Sequence, residues 1–394
     1  MIKILAWLIL ALVVYTPPIY GQSSGEGILL RHLHRPGEQY RIVGVNRQEI
    51  TLDGRSAGSA EVVTRIQIVK GEQRQIRATY SVTEGNQLER EYTVLFTQNE
   101  LGVQQVPSGS FVPQVRNVPT FPEERVTPGD TWQRPAQEVY DFREGLEIQT
   151  AVVIPMQVNY EYRGTIAFEG AEYHEIGITY NLFHRPGRTA PEAAEIRLIT
   201  ARFSQRLLWD LPAGRPHYYQ EDYNLFIQLT DGTRLEYRGE ADGRVVDAPP
   251  LNRDALRDEI QGSIEALSLA DTTVRSDEQG VTIALEDIRF EPDSARLLSS
   301  EQVKLEWVAE ILRRYPDRDV LITGHTALAG TEEGRQRLSE ERAATVGDYL
   351  IQTGVRSQEQ LLYRGVGARE PVATNNTEAG RRRNRRVEIT ILEN

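Results

Sequence analysis

The 394-residue chain contains no cysteine. That absence excludes a disulfide scaffold, a cysteine nucleophile, a thiolate metal site and a lipidated cysteine anchor, so the fold rests on packing alone. Histidine is scarce, with six in all: His32, His34, His174, His184, His217 and His325. His32 and His34 alternate along what reads as one strand face, a spacing that suits a metal ion, but the sequence offers no third ligand. Neither a metal nor a cofactor is expected. No nucleophile elbow, phosphate loop, metalloprotease helix or kinase signature occurs. Carboxylates are plentiful, yet spacing singles out no acid-base pair, and the chain is expected not to be an enzyme. Basic charge is in deficit, with 45 Lys and Arg against 57 Asp and Glu and a net charge of -12. Such a balance repels phosphate backbones, which argues against nucleic acid as a partner.

An apolar run long enough to cross a bilayer is missing from the start of the chain. "MIKILAWLILALVVYTPPIYGQ" places Lys3 before roughly a dozen apolar residues and stops at Thr16, whereas a span needs about 20. The stretch reads as a signal peptide over residues 1–21, cleaved near Gly21 or Gln22, with an uncleaved anchor as the alternative. The expected location is periplasmic or outer-membrane associated.

Between residues 27 and 246 the pattern alternates and is rich in β-branched and aromatic residues, as in "EVVTRIQIV", "REYTVLFTQ", "TAVVIPMQVNYEYRGTIAF" and "RLEYRG". These predict strands of a mainly antiparallel β region over residues 22–250, with turns at "TLDG", "VTEGN", "LTDGT" and "EADG". Residues 106–135 are dense in proline and glycine and show no period. They read as a long loop that divides the region into two subdomains. Within it, "VTPGDTW" predicts a turn with Trp132 packed beneath. Alternation alone does not separate a water-soluble sheet from an outer-membrane barrel. The uneven strand lengths, the lack of paired aromatic girdles and a mean hydropathy of -0.46 favour the soluble form. "HRPG" occurs at His34 and His184, but the flanks differ and no repeat follows.

"NRDALRDEIQGSIEAL" predicts an amphipathic helix capped by Asn252, taken as a helical linker over residues 251–279. From residue 280 to 394 strand and helix signals alternate. "GVTIALEDIRF" is a strand, and Ser299 with Gln302 forms a capping box before a helix that turns Leu305, Val308 and Leu312 inward. "DRDVLITGH" is a buried strand. Thr331, followed by Glu332 and Glu333, opens a second helix that buries Ala343, Val346 and Leu350 and stops at Gly354. "QLLYRGVG" and "RRVEITIL" complete the order βαβαββ. The chain as a whole is therefore multidomain: an antiparallel β region followed by an α+β domain with a mixed sheet.

"IRFEPDSARL", "GHTALAGTEEGRQRLSEERA" and "RGVGAREPVATNNTEAGRRRNRRVEI" resemble the C-terminal OmpA-like domain, over about residues 280–392. The resemblance implies a periplasmic module that binds the stem peptide of peptidoglycan. In that family an aspartate after the second strand takes the ammonium of a diamino acid, and an arginine on the next helix takes its carboxylate. The arginine falls on Arg342, the aspartate falls on Ala327, and a family asparagine becomes Arg335. Thr326, with His325, is expected to cap the turn through side-chain bonds. Arg385 and Arg386, in "RRRNRR", are expected in a loop and strand start at the site rim. Gly324 and Gly330 serve backbone geometry.

Replacing the acid by Ala327 and a neutral residue by Arg335 moves the local charge by about two units toward positive, which disfavours an ammonium group. A charge-assisted bond contributes about 1.5–3 kcal/mol, so binding weaker by one to two powers of ten, or lost, is expected. The alternative is a repurposed scaffold that makes protein contacts or assists envelope assembly. The β region is expected to meet an envelope protein or lipid partner.

Overall fold

The computed structural model describes residues 27–269, 271–286 and 301–393. The signal-peptide reading of residues 1–21 and the Ser299 cap lie outside the described residues. The chain divides into two compact units. The first comprises Met1–Val82 and Arg90–Asp247, and the second comprises Thr83–Glu89 and Ala248–Asn394.

The first unit is built mainly of long strands: β1 (Gln39–Leu52), β2 (Arg55–Lys70), β3 (Gln75–Glu84) and β4 (Gln87–Gln98), whose shared hairpin end Thr83–Glu89 belongs to the second unit, the two-residue β5 (Gln104–Gln105) and β6 (Val115–Arg116), then β7 (Thr131–Tyr140), β8 (Val152–Phe168), β9 (Ala171–His184), β10 (Ile196–Asp210), β11 (Arg215–Leu229) and β12 (Arg234–Asp247). Antiparallel pairing runs continuously through β2, β1, β12, β11, β10, β9, β8, β7 and β6. The alternation seen in sequence is the physical face assignment. On β8, Val152, Ile154, Met156, Val158, Tyr160 and Tyr162 are buried, while Gln157, Asn159 and Glu161 face outward. Apolar side chains inside and polar ones outside are the reverse of what a lipid-facing barrel needs.

Turn chemistry follows the glycines in three of the four expected turns. Asp53 and Gly54 both take positive φ, the geometry of a tight hairpin between β1 and β2, and Gly85 and Gly232 also take positive φ. "EADG" is the exception, because it lies inside β12. Its Gly243 is flat against the Tyr219 ring, which stands 2.3 Å from where a Cβ would sit. The glycine there admits an aromatic ring and turns nothing.

Residues 106–135, expected as a long loop that separates two subdomains, place Val112, Phe121, Val126 and Trp132 in the interior of this one unit. Thr127 N and Oγ1 both donate to Asp130 Oδ2, at 2.7 and 2.9 Å, and fix the turn. Trp132 stacks on Tyr160 and donates to Thr120 O at 2.8 Å, so its indole proton is satisfied although buried.

The second unit holds α1 (Arg253–Ala266), β13 (Thr272–Ser276), β14 (Gly280–Glu286), α2 (Gln302–Arg313), β15 (Val320–Gly324), α3 (Glu332–Gln352), β16 (Leu361–Gly365), α4 (Glu378–Asn384) and β17 (Arg386–Leu392). The strands pair in the order β13-β14-β17-β15-β16, antiparallel except for β15 with β16. Two elements go beyond the expected βαβαββ order. β13 is a short strand with little apolar content, and α4 lies in the arginine run that reads as a loop. Asn252 caps α1 by accepting from Ala255 N. The segment expected as a linker, residues 251–279, contributes Leu251, Leu256, Ile260 and Ile264 to the core of this unit. Leu256, Ile260 and Ile264 of α1 pack with Val281, Ile283, Leu305 and Ile391.

No described helix is long and apolar enough to cross a membrane.

Candidate ligand loop of the C-terminal unit

β15 delivers the chain to the loop because α3 lies directly on its end. A Cβ on Gly324 would stand 2.0 Å from Ser339 O, and one on Gly365 would stand 2.4 Å from Ser339 Oγ and Glu340 N. Glycine at both strand ends is what lets the helix approach this closely. Backbone bonds then hold the loop. His325 N donates to Arg386 O at 3.0 Å, Thr326 N to Gly367 O at 2.9 Å, and Val366 N to Gly324 O at 3.1 Å. Gly330 takes a φ of 74°, and Thr331 caps α3 by accepting from Gly334 N.

The turn is not capped by its own side chains. The ring nitrogens of His325 and the hydroxyl of Thr326 are buried and make no hydrogen bond among the described residues. Side-chain bonding comes from elsewhere. Asn384 Nδ2 donates to Asn375 Oδ1 at 3.0 Å, and that same oxygen accepts from Leu328 N at 3.0 Å. Asn384 Oδ1 also accepts from Val372 N and Ala373 N. This asparagine relay ties α4 to the loop. Its trace in the sequence is the pair of asparagines in "NNTEAGRRRN", Asn375 and Asn384, which went unassigned.

On α3, Arg335, Ser339 and Arg342 fall at i, i+4 and i+7, hence on one helix face. Ser339 is fully buried, donates to Gln336 O and accepts from Gly367 N at 2.9 Å, so this face is the one turned toward the strand ends. Arg342 is half-buried. Arg335 donates to Gly330 O at 2.5 Å, which places a guanidinium at the end of the loop. Ala327 is buried within the loop, while its neighbour Leu328 is 59 % exposed.

The two rim arginines divide. Arg385 donates to Glu378 Oε1 at 2.9 Å on α4. Arg386 lies inside the unit and not at a rim. Its Nε donates to Glu388 Oε1 at 2.7 Å, and both terminal nitrogens reach Glu370 O. Arg275 donates to the other Glu388 oxygen at 2.7 Å. Burial by itself would raise the Glu388 carboxyl, but these bonds overrule it and hold the group well below the ordinary carboxylate range. His325 Nε2, 3.8 Å from Glu388, is beyond hydrogen-bond reach. Desolvation lowers the pKa of this imidazole, so it adds little charge at neutral pH. The loop therefore sits beside an ion-pair cluster that is internally satisfied.

The remaining histidines take structural positions. His32 and His34 lie before β1 and not on a strand, and Nε2 of each meets a backbone carbonyl: Pro119 O at 3.1 Å and Gly71 O at 2.7 Å. Desolvation pushes His32 down to about 4. Among the described residues no group of three or more His, Asp or Glu is placed to hold a metal ion.

Comparison with known proteins identifies the segment. The family model described as OmpA family matches residues 289–385. "Probable lipoprotein YiaD" of Escherichia coli is 32% identical over 136 residues, which cover 34% of this chain and 59% of that protein. "Peptidoglycan-binding protein ArfA" of Mycobacterium tuberculosis is 39% identical over 104 residues, 26% of this chain and 32% of that protein. The match thus spans about a third to three fifths of these curated relatives. Among solved structures, the cell wall anchor of the T6SS from Pseudomonas aeruginosa is 30% identical with a TM-score of 0.32, covering 36% of this chain and 100% of that chain. The peptidoglycan-associated lipoprotein from Burkholderia pseudomallei is 31% identical with a TM-score of 0.25, covering 26% and 86%. Residues 289–385 of this chain are accordingly a domain of the OmpA family.

Proposed function

We propose that the chain is an exported, non-enzymatic envelope protein whose OmpA-family domain contacts the peptidoglycan stem peptide, with Arg342 taking the peptide carboxylate. The domain is read as an α+β module that follows a separate β-rich domain, and the location as periplasmic or outer-membrane associated. The observation that carries the proposal is the seating of α3. Ser339 packs under Gly324 and Gly365, and Arg342 lies one turn further along the same helix face. In this reading Thr326 and Ala327 form the loop wall, Arg335, bonded to Gly330 O, stands at the end of the loop, and Arg385 is a further contact. A carboxylate bound here would gain a charge-assisted bond, whereas an ammonium would meet the methyl of Ala327 where the family has its acid.

Weak binding follows, and the test is sedimentation with purified sacculi. The native chain is expected to co-sediment weakly, and Arg342→Ala to lose what binding there is. Ala327→Asp restores a partner for the ammonium and is expected to tighten binding about 10- to 100-fold. Failure of both the native chain and Ala327→Asp to sediment would overturn wall binding.

A second reading, a scaffold reused for protein contacts or envelope assembly, is favoured by Arg335. Its bond to Gly330 O turns a position of the family site into a structural clamp. That reading expects no sedimentation of the native chain and clear sedimentation of Ala327→Asp.

A further inference from the structure

The first unit contains a partly open cavity of ≈ 300 Å³. Its walls are largely apolar, with Ile42, Val62, Ile66, Phe111 and Leu207 among the lining residues. Sites for small ligands have volumes of about 300–1,000 Å³ and join apolar walls to a few placed polar groups, so this one has room for a single chain. Empty apolar space of this size weakens a fold, and water fills it only where several polar partners converge.

Two polar clusters lie at the cavity, which Arg90, Tyr92, Asp141 and Glu144 of one and Tyr180 and Glu221 of the other line directly. One is ionic and internally paired. Arg143 donates to Asp141 Oδ2 at 2.6 Å, Tyr92 donates to the same oxygen at 3.1 Å, and Arg90 pairs with Glu144. The other is uncharged and deeply buried. Tyr180 stands 3.4 Å from both Glu138 Oε2 and Glu221 Oε1, and its single proton serves one carboxyl at a time. Neither glutamate forms an ion pair among the described residues. Burial pushes Glu138 up to about 8 and raises Glu221 well above the ordinary carboxylate range, which favours the neutral form of both. Next to them Tyr140 lines the cavity. It is 1 % exposed, and its hydroxyl makes no hydrogen bond among the described residues. A buried hydroxyl without a partner is costly unless something in the cavity accepts from it.

We propose that this cavity holds the acyl chain of a neutral single-chain lipid, with the ester carbonyl oxygen accepting a hydrogen bond from the Tyr140 hydroxyl. The walls take the hydrocarbon, and the neutral cluster takes an oxygen that carries no charge. An anionic headgroup is disfavoured because Arg90 and Arg143 are already committed to Glu144 and Asp141. A cation is disfavoured because burial drives both carboxyls toward their neutral form.

The test uses the full chain, delipidated, with monolauroylglycerol as the probe and glycerol as the chainless control, titrated by calorimetry. One saturable site for monolauroylglycerol and none for glycerol are expected. Tyr140→Phe removes one hydrogen bond and should weaken binding about three- to tenfold. Ile66→Trp fills the cavity and should abolish binding, with circular dichroism confirming that it folds. Absence of saturable binding in the native chain overturns the proposal, and so does native affinity in Tyr140→Phe. The conservative tyrosine variant decides the matter even if the tryptophan variant misfolds.

Discussion

In the C-terminal unit Glu388 is buried between two guanidiniums, whereas in the β unit Glu138 and Glu221 are buried against tyrosines. The same side chain is driven in opposite directions. Arg275 and Arg386 keep Glu388 ionised against the pull of burial, while nothing opposes desolvation of Glu138 except a long bond from Tyr180. A carboxylate with its cations in place is a closed structural device. Acids kept neutral beside a cavity retain hydrogen-bonding capacity for something else. The difference separates a carboxylate whose bonds are complete, Glu388, from a pair of carboxyls that lie beside an unpartnered Tyr140 hydroxyl.

The sharpest way to break the comparison is to remove a cation. Arg386→Met leaves buried Glu388 with Arg275, itself half-exposed, and is expected to lower stability by roughly 3–5 kcal/mol, since a buried charge loses its buried partner. Urea unfolding of the full chain, followed by signals from the second unit, measures it. The pH dependence has a definite sign. Glu388 is depressed in the folded state, so its contribution is present above the ordinary carboxylate value and is lost as pH falls through the folded value. The variant should be less acid-sensitive than the native chain. A loss below 1 kcal/mol would show that Arg275 alone suffices.

Glu138→Gln probes the opposite case. A carboxyl whose folded pKa is raised from 4.5 to about 8 stabilises the fold below 4.5 and loses that contribution as pH rises toward 8. Glutamine has no such proton to lose. Unfolding free energies of native chain and variant should therefore diverge by about 1.4 kcal/mol per pH unit in this window, and by about 2 kcal/mol between pH 4.5 and pH 6. Parallel pH profiles would mean that Glu138 is ionised and finds a cation in solution.

Much of this was legible in residue order, for reasons that differ by element. The burial on β8 follows from strict alternation, and the cap by Asn252, the cap by Thr331 and the stop at Gly354 follow from local side-chain and backbone chemistry. What escaped depends on contacts distant in sequence. "EADG" looks like a turn until Tyr219 is placed over Gly243, and Arg386 looks like a rim residue until Glu388 and Glu370 are placed around it. The candidate site was legible as a motif, through "GHTALAG" and "LSEERA", but not as a mechanism. His325 and Thr326 were expected to bond the backbone, and instead the asparagine relay from Asn384 through Asn375 does so. The cavity left no local trace, because its walls join strands that alternate like any others to the irregular segments around residues 111–119 and 141–144, far apart in sequence.

The smallest expected effect concerns where the second unit begins. Gly262 sits on the exposed side of α1, between buried Ile260 and Ile264, and a Cβ there would touch nothing within 4 Å. Glycine inside a helix costs about 0.5–1 kcal/mol relative to alanine, through backbone entropy lost on folding, so Gly262→Ala should stabilise α1 by that amount. The destination of that energy is the informative part. If α1 folds as one cooperative element with the strands it packs on, the gain appears in the main transition of the second unit, with its denaturant midpoint raised and its slope unchanged. If α1 behaves as a separate linker, helix content rises in the pre-transition region and the midpoint stays where it is. Burial of Leu256, Ile260 and Ile264 against Val281 and Ile391 requires the first outcome, because three anchored apolar side chains couple the helix to the sheet by more than the helix is worth alone.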